Sequence, residues 1–345
     1  MILNVFQHIL PLMFLAIGLN AQAALKDFIV IAHRSASGYL PEHTLPAVAM
    51  AHAWGVDYIE PDVVLTKDNV PIVLHDIELD TNTDVKSVFP SRHRSDGHFY
   101  AIDFTLAEIK TLHVHERSQE DHLDEAVFPK RFPIRINSSS FQVPTFEEYI
   151  QLVQGLNRST GRKIGIYPEI KKPEFHQKEG KDITKIFYEM LQKYGYERTP
   201  EQIFIQCFEP NTLKRLKTEF KSKIPRVQLI GKNVWNESSA DYDKMLTQAG
   251  IKDVSTYADG IGPSLDQIVE KEENGKPKAN SIVTWAHQND LKVHPYTLRM
   301  DSLPPEFKTG SAMMDFYIKN VKIDGIFSDF SDQVLEHLGR LKRRN

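Results

Sequence analysis

Cysteine is nearly missing from this chain of 345 residues, in which Cys207 is the only one. With a single thiol no disulfide can form within the chain, although an oxidising compartment is compatible with the sequence. Cys207 lies inside the apolar run 203–208, and we interpret it as a core residue and not as a nucleophile. The sequence therefore excludes a disulfide scaffold.

A strong excess of charge of either sign is also missing, since the formal net charge is −4. This mild acidity gives no indication of binding to nucleic acids or to anionic membrane surfaces. Hydrophobic residues make up 41% and charged residues 26% of the chain, which is ordinary for a globular protein. No tandem repeat or low-complexity tract stands out. The length suits one large α/β barrel with an insertion, or two domains.

Lysine and arginine are absent from residues 1–8, at the start of a segment that otherwise has the pattern of an export signal. Residues 9–19 form an apolar core too short for a comfortable membrane span, and Ala21-Gln22-Ala23 is typical of a cleavage site. We therefore expect a signal peptide over residues 1–23, a periplasmic or secreted location, and no stable membrane insertion after cleavage. The alternative, favoured by the missing positive charges, is an N-terminal membrane anchor.

Three short phrases between residues 28 and 76 carry most of the chemistry of the sequence. Each is an apolar, strand-like run that ends in side chains able to carry charge or protons. If the runs converge, two histidines, several carboxylates and an arginine form one acid–base and metal site. The phrases are Ile31-Ala32-His33-Arg34, Ile59-Glu60-Pro61-Asp62 and Val73-Leu74-His75-Asp76.

The last two of these runs are separated only by the turn-like segment 66–69, which is far too short for a parallel crossover. We therefore predict a hairpin. Pairing Thr66 with Pro71 would place Asp62 opposite His75, on the same face of the hairpin.

Further along the chain, apolar strand candidates alternate with helical stretches. With the strands that begin at Phe28 and Val56 there are eight parallel strands, provided that the run 70–75 is only the return arm of the hairpin. The predicted fold is an α/β TIM (β/α)8 barrel, with its active site at the carboxyl ends of the strands. The other strand candidates are 163–170, 203–208, 226–230, 258–262, 291–296 and 325–328, and the helical stretches include 41–54, 182–194, 209–220, 279–289 and 331–342.

Residues 77–162 hold no clear barrel strand. They predict a subdomain inserted after the second-strand hairpin, within a single barrel domain over 24–345. One helix is predicted at 105–112, and a second begins at Thr145, which with Glu148 has the pattern of a capping box. The clustered histidines of this region fit no standard metal-binding spacing, and we interpret them as part of a solvated surface.

The three phrases, together with Pro41-Glu42-His43-Thr44, resemble the signature of the glycerophosphodiester phosphodiesterase family. The resemblance is strongest to the bacterial periplasmic members of the glycerol-phosphate pathway, and it covers nearly the whole chain beyond residue 24. It continues in Tyr167-Pro168-Glu169-Ile170-Lys171, Gln206-Cys207-Phe208, His294-Pro295-Tyr296-Thr297 and Phe327-Ser328-Asp329-Phe330.

One position departs from the family pattern, and a second differs from the usual residue in a way that the periplasmic members share. Ser35 stands where the first motif of the family usually has glycine, which permits backbone shapes and a close ligand approach that serine resists. His43 stands where the family usually has asparagine, although the periplasmic members resemble this sequence there.

The resemblance implies metal-dependent hydrolysis of glycerophosphodiesters, such as glycerophosphocholine and glycerophosphoethanolamine, to sn-glycerol 3-phosphate and an alcohol. The expected partner is thus a small-molecule substrate, and a homodimer is left open. The resemblance also implies His33 as general base and His75 as general acid. The residues alone do not decide which histidine has which role, because an unperturbed histidine serves either way near neutral pH.

Glu60, Asp62 and Glu169 offer three carboxylates at one barrel mouth. This all-oxygen set suits a hard divalent cation, with Ca²⁺ expected first and Mg²⁺ second, better than it suits Zn²⁺. Two simpler interpretations stay open. Glu60 and Asp62 could be a hydrogen-bonded polar pair, and Glu169 could form an ion pair with Lys171.

Four further residues are candidate substrate ligands. Arg34 could bind a phosphate oxygen with its fork of donors, and Lys171 could act as a point charge nearby. Phe208 and Tyr296 could form a wall for the glycerol moiety, although aromatic residues at strand ends are more often simply core.

Two other functions stay open at this level. A barrel phosphodiesterase of the phospholipase C or D type would need an apolar, lipid-facing rim, and the sequence has no basic amphipathic segment that suggests one. A weakly active or inactive barrel that binds phosphodiesters or a surface partner would follow if Ser35 disables the site. Ser35→Gly would then restore activity.

Overall fold

The computed structural model describes residues 27–341, apart from 121, 123, 135–139 and 272–275, so the predicted signal peptide lies outside the described residues. No helix within this described part is long and apolar enough to cross a lipid bilayer. The strands are β1 (Ile29–Ala32), β2 (Tyr58–Ile59), β3 (Asp62–Leu65), β4 (Pro71–Val73), β5 (Gly165–Ile166), β6 (Glu169–Ile170), β7 (Ile205–Cys207), β8 (Arg226–Ile230), β9 (Gly260–Pro263), β10 (Val269–Lys271), β11 (Pro277–Ala279), β12 (Lys292–Val293) and β13 (Gly325–Ser328).

Helices connect most of these strands. The α-helices are α1 (Leu45–Trp54), α2 (Val85–Val88), α3 (Leu106–Ile109), α4 (Phe146–Thr160), α5 (Pro173–Lys178), α6 (Ile183–Lys193), α7 (Pro210–Thr218), α8 (Tyr242–Met245), α9 (Gln248–Val254), α10 (Ile282–Gln288), α11 (Gly310–Asp315) and α12 (Ser331–His337). Short 3₁₀ turns lie at Ala101–Asp103, Tyr196–Arg198, Pro200–Gln202, Asn233–Trp235 and Leu265–Ile268, and a π-helical turn lies at Phe316–Val321.

Eight parallel strand positions follow one another around a barrel. β1 pairs with β13 on one side and with β2 on the other, and β6 to β9 and β12 continue the parallel order. The ring closes between β12 and β13, where the Asp324 N–H donates to Val293 O at 3.0 Å and the Phe327 N–H donates to Pro295 O at 3.1 Å. The predicted TIM barrel is confirmed, and β8 and β13 have the predicted bounds.

Two of the eight strand positions are interrupted at a proline. β2 and β3 belong to one position and are separated by Glu60-Pro61, while β5 and β6 belong to the next and are separated by Tyr167-Pro168. Proline has no N–H to donate, but its carbonyl still accepts a hydrogen bond. The Glu169 N–H donates to Pro61 O at 2.9 Å, and the Gln206 N–H donates to Pro168 O at 3.0 Å. All three predicted metal ligands therefore lie at these interruptions: Glu60 and Asp62 flank Pro61, and Glu169 follows Pro168.

The hairpin of β3 and β4 forms, but its predicted register is wrong by one residue. Leu65, and not Thr66, pairs with Pro71, so Asp62 lies opposite Leu74 and not opposite His75.

The turn of this hairpin explains the shift. The Thr66 N–H donates to Val70 O at 3.1 Å, which leaves a three-residue loop instead of the four residues that the predicted pairing requires. Asn69 makes the shorter loop feasible because it adopts the left-handed conformation, with a φ of 62°.

The predicted helices form, although several are shorter than the helical pattern. α1 ends at Trp54 and is followed by Gly55, whose φ of 81° is that of a glycine C-cap, and α4 begins after Thr145 with the predicted capping box. The stretch 279–289 was predicted as helix from its first residue. This is wrong at the start, because Ala279 pairs within the β10–β11 hairpin and α10 begins at Ile282.

Residues 77–144, here named the insertion segment, contribute most of a second hydrophobic cluster that covers the β3–β4 hairpin. The helix α4, in contrast, buries its apolar face in the main barrel core. The predicted bounds of the domain, 24–345, and of the insertion, 77–162, stay predictions. The second cluster contains Val64, Ile72, Leu74, Leu79, Val85, Phe99, Ala101, Phe104, Ile109, Leu112, Val114 and Val143.

Candidate active site

Three carboxylates meet at the carboxyl ends of neighbouring strands. Asp62 is in register with Glu169, and Glu169 is in register with Gln206 on the next strand. Glu60, Asp62 and Glu169 are all buried, and each offers an oxygen within 4.8 Å of those of the other two. The sequence predicted this convergence, and the barrel produces it.

The triad is electrostatically strained on its own. Burial and then the charge of Asp62 raise the pKa of Glu60 well above its usual range. Burial likewise raises the pKa of Glu169, although the Nζ of Lys171 lies 2.9 Å from its Oε1. Burial alone would raise the pKa of Asp62 too, but Lys171 and the two neighbouring histidines outweigh it and lower that pKa. A cation among the three oxygens would remove the repulsion.

Protein donors hold two of these carboxylates from behind. The Arg34 N–H donates to Glu60 Oε2 at 2.6 Å, and the Nε2 of His43 lies 2.9 Å from Asp62 Oδ2. The other Asp62 oxygen, Oδ1, is buried and has no hydrogen-bond partner among the described residues. An orphaned, buried carboxylate oxygen within an acidic triad fits a metal ion, and the triad could therefore hold one.

His33 follows β1 directly and is held by Asp329, at the end of β13. Its Nδ1 lies 2.6 Å from Asp329 Oδ1, and Arg131 and Arg299 donate to Asp329 Oδ2 at 2.7 and 3.1 Å. These partners keep the pKa of Asp329 well below its usual range despite burial. An ionised carboxylate only accepts hydrogen bonds, so Nδ1 of His33 carries the ring proton and Nε2 has a free lone pair. Burial lowers the pKa of His33 to about 4.

His75 has the same arrangement and lines the same cavity as His33. Its Nδ1 lies 2.5 Å from Asp76 Oδ1, and its Nε2 lies 3.4 Å from the Nζ of Lys171. Burial, and then the charges of Arg34 and Lys171, lower the pKa of His75 to about 4. Both histidines are therefore neutral at pH 7, and in both the proton is on the nitrogen that faces a carboxylate.

Arg34 and Ser35 both have left-handed backbone conformations, with φ values of 50° and 71°. The turn aims the Arg34 N–H at Glu60, and Nη1 of Arg34 donates to Glu42 at 2.9 Å. Ser35 is fully buried, and its Oγ lies 3.0 Å from the hydroxyl of Tyr149. The Ser35 side chain thus points into the core and does not line the cavity into which a phosphate would enter.

A cavity of about 700 Å³ lies in front of these groups, and the predicted substrate residues Phe208 and Tyr296 line it. Their rings meet edge to face with centroids 6.1 Å apart, and the Nζ of Lys171 lies 5.6 Å from the centre of the Phe208 ring. The Tyr296 hydroxyl donates to Ile230 O at 3.0 Å. Because the Tyr296 hydroxyl donates its proton to this carbonyl, Tyr296 faces the cavity mainly with its aromatic ring.

Sequence reasoning missed several residues of the site. Gln206 donates from Nε2 to Glu60 at 3.3 Å, and its Oε1 is buried without a partner in the described structure, so it could add a fourth oxygen to the triad. A signal for Gln206 existed, since it lies near the end of a strand, two residues before Phe208. Arg117 and Arg131 had none, because both come from the insertion segment and their partners lie far away in sequence.

A buried acidic triad beside two carboxylate-held histidines, at the mouth of a TIM barrel, defines a hydrolytic enzyme with a candidate metal centre.

Comparison with known proteins agrees with this class of enzyme. Residues 33–333 match the glycerophosphoryl diester phosphodiesterase family. The chain is 42% identical to a glycerophosphodiester phosphodiesterase of Haemophilus influenzae, over 92% of this chain and 91% of that relative. It is 36% identical to one of Treponema pallidum, over 92% and 94% of the two chains. The chain therefore belongs to the glycerophosphoryl diester phosphodiesterase family.

Solved structures show the same fold. A phosphodiesterase from Oleispira antarctica, in complex with the product sn-glycerol-3-phosphate, has a TM-score of 0.61 and 18% identity over 90% of this chain and 96% of that one. A glycerophosphodiester phosphodiesterase from Agrobacterium tumefaciens has a TM-score of 0.57 and 18% identity over 88% and 97%.

Proposed function

We propose that this protein hydrolyses glycerophosphodiesters, such as glycerophosphocholine and glycerophosphoethanolamine, to sn-glycerol 3-phosphate and the free alcohol. The observation that carries the proposal is the buried triad of Glu60, Asp62 and Glu169 between two histidines whose Nδ1 atoms are held by carboxylates. Two curated relatives that match over most of the chain have this activity in their names.

The proposed cofactor is a divalent cation, with Ca²⁺ ahead of Mg²⁺. Glu60, Asp62 and Glu169 would hold it. Ca²⁺ comes first because it binds carboxylate oxygens in a flexible geometry, whereas Mg²⁺ requires a near-ideal octahedron and usually keeps several waters. When bound, such an ion supplies Lewis-acid stabilisation of charge on the phosphoryl group.

His33 is proposed as the general base and His75 as the general acid. The Nε2 of His33 takes a proton from the attacking oxygen, which belongs to water or to the glycerol 2-hydroxyl of the substrate. With the substrate bound, His75 first takes up a proton from solvent at Nε2. As the attacking oxygen bonds to phosphorus, the bond to the leaving oxygen breaks, and His75 gives this Nε2 proton to the leaving oxygen. The phosphodiester anion would raise the pKa of His75, because it neutralises the cations Arg34 and Lys171 that now lower it.

Four residues are proposed to hold the substrate. Arg34 donates to one phosphate oxygen and Lys171 provides a second positive charge beside it. Arg34 lines the cavity, and Lys171 contacts His75 and Glu169, which line it. Each cation is bonded to a carboxylate, Arg34 to Glu42 and Lys171 to Glu169, which fixes its position. Phe208 and Tyr296 form the apolar wall against the glycerol carbons.

We also propose that residues 1–23 are a cleaved signal and that the mature protein acts outside the cytoplasm. N-terminal sequencing of the protein recovered from fractionated cells tests this. A mature chain that begins at Ala24 in the exported fraction is expected, and an intact residue 1 in the membrane fraction would contradict it.

Product analysis tests the proposed reaction. Glycerophosphocholine incubated with the purified protein and Ca²⁺ should yield glycerol 3-phosphate and choline in equal amounts. Phosphocholine and glycerol would instead indicate cleavage of the other ester bond, as in a phospholipase C. No product from several headgroups, with either Ca²⁺ or Mg²⁺, would refute the proposed function.

A further inference from the structure

Each of the two histidines is hydrogen-bonded to a carboxylate, and an arginine of the insertion segment donates to the other oxygen of that carboxylate. Nη1 of Arg117 donates to Asp76 Oδ2 at 2.7 Å, while Asp76 Oδ1 holds His75. Nη2 of Arg131 donates to Asp329 Oδ2, also at 2.7 Å, while Asp329 Oδ1 holds His33. The order arginine, carboxylate, histidine is therefore the same on both sides of the site.

We propose that the insertion segment completes the acid–base pair, with Arg117 and Arg131 as positioning residues that each fix one histidine through its carboxylate. The catalytic roles of the histidines rest on the proposed function. The orientation of the two imidazole rings does not depend on it and can be measured separately. Neither arginine touches the substrate cavity, so the two act only through their carboxylates.

Arg117 is placed for this by a nearly buried ion-pair network. Its Nη2 and Nε donate to the two oxygens of Glu42 at 2.7 and 3.2 Å, and Nη1 also contacts the hydroxyl of Thr81. Glu42 in turn accepts from Arg34, the proposed phosphate ligand, at 2.9 Å. A planar fork that bonds two carboxylates leaves each carboxylate little rotational freedom. Arg117 thus sets the orientation of Asp76 and, through Glu42, that of Arg34.

Arg131 is equally constrained. Its guanidinium lies 3.6 Å from the centre of the Phe128 ring and donates from Nε to Asp301 Oδ2 at 2.8 Å. Only 3% of the side chain is exposed, and that of Asp329 is 2% exposed. Arg299 also donates to Asp329 Oδ2, but from a side chain that is 33% exposed. The buried, doubly paired Arg131 is therefore the stronger constraint on Asp329.

Arg94 provides a matched control because it also joins the insertion segment to the barrel. It donates to both oxygens of Asp103 at 2.7 and 2.9 Å, and to Glu179, next to α5, at 2.8 Å. None of these carboxylates bonds to either histidine. Arg94→Gln removes an ion pair that links the insertion segment to the barrel and leaves both histidine arrangements intact.

Kinetics give the first test, with glycerophosphocholine as substrate and the full chain as enzyme. Arg131→Gln should lower kcat on the order of 10- to 100-fold, as loss of a partner behind a functional histidine commonly does, with KM little changed. Arg117→Gln should lower kcat and also raise KM, because Arg34 is released as well. Arg94→Gln should behave as the wild type. The lysine variants of Arg117 and Arg131, which keep the charge without the fork, should recover part of the loss. If kcat of both glutamine variants equals that of Arg94→Gln, the proposal is wrong.

Histidine NMR gives a second test that needs no turnover and that a purely structural role would not satisfy. Ring ¹⁵N shifts of the metal-free protein, assigned with His33→Gln and His75→Gln, report tautomer and pKa. Arg117→Gln should raise the pKa of His75 more than that of His33, and Arg131→Gln should raise the pKa of His33 more than that of His75. Each variant removes the cation behind the carboxylate of one ring, whereas Arg34 acts on both rings. Equal shifts at both rings, or none, would overturn the proposal. If a glutamine variant does not fold, its lysine variant is measured instead. An inactive wild type would refute the proposed function and leave this test valid.

Discussion

Asp329→Asn is the substitution whose effect on the site is best defined by the structure. Arg131 and Arg299 both donate to Asp329 Oδ2, so an asparagine would keep its carbonyl oxygen toward the arginines and turn its NH₂ toward His33. That NH₂ would donate to Nδ1 of His33, and the ring proton would move to Nε2. The nitrogen proposed to act as the base would then carry a proton already.

The expected loss in kcat is about 10⁴-fold, the size known for the same wrong-tautomer substitution in a Ser-His-Asp triad. This corresponds to about 5.4 kcal/mol in the barrier. Stability should fall too, by about 3–5 kcal/mol, because a buried carboxylate is removed from two arginines. Release of glycerol 3-phosphate, coupled to its dehydrogenase, measures the first effect, and denaturant unfolding measures the second.

Asp324→Asn is the matched control, since Asp324 immediately precedes the opposite end of β13. It also pairs with a histidine, His287, at 2.9 Å, and with Lys292 at 2.9 Å. We expect this variant to lose stability and to keep kcat. If Asp329→Asn retains the kcat of the wild type while it is folded, the tautomer argument is refuted.

Three further predictions concern other parts of the site. Ser35→Gly should leave kcat nearly unchanged and stability within about 1 kcal/mol, because relief of the left-handed backbone offsets the lost hydrogen bond to Tyr149; a large gain in activity would show that Ser35 disables the site. Glu60→Gln should not destabilise the chelator-treated protein at pH 7, because the pKa of Glu60 is raised in the folded state and such a carboxyl destabilises the fold at any pH above its unfolded pKa. The same substitution should abolish the rise in Tm that Ca²⁺ causes in the wild type, and an undiminished rise would contradict the metal assignment. The fall of kcat/KM at low pH should occur well below pH 6, because His33 has a pKa of about 4 and keeps its free lone pair until the pH falls through that value. A fall of kcat/KM near the ordinary pKa of histidine would contradict a neutral, buried base.

Much of the fold follows from local patterns in the chain. Apolar runs bounded by polar residues predicted β8 and β13 with the observed bounds, and the capping box at Thr145 marked the start of α4. These signals are local, so they can be read without knowing the partner strands. The convergence of Glu60, Asp62 and Glu169 followed from the barrel topology itself, which brings all strand ends to one mouth.

The parts that could not be predicted depend on fine backbone geometry. The observed hairpin register differs from the predicted one by one residue because Asn69 adopts a positive φ, which permits the shorter turn. The residues of the turn are compatible with either turn length, so the sequence does not decide between them. The sequence shows the strand interruptions only as the prolines Pro61 and Pro168. A proline alone does not predict at which residue the hydrogen-bonded strand pairing resumes.

Long-range side-chain pairing was also invisible to sequence reasoning. Arg131 lies 198 residues from Asp329, and Arg117 lies 75 residues from Glu42. No periodicity or motif links such positions, because the contact exists only after the insertion segment docks on the barrel. The effect of Ser35 belongs here as well, since its fit depends on Tyr149, which is distant in sequence.

The most direct test of the whole account is release of glycerol 3-phosphate from glycerophosphocholine by the wild type, His33→Gln and His75→Gln, each with chelator, with Ca²⁺ and with Mg²⁺. The account predicts turnover in the wild type that chelator abolishes and Ca²⁺ restores more fully than Mg²⁺, and no turnover in either variant under any condition. Undiminished turnover in chelator, or in a folded variant of either histidine, would contradict a metal-dependent site built on these two residues.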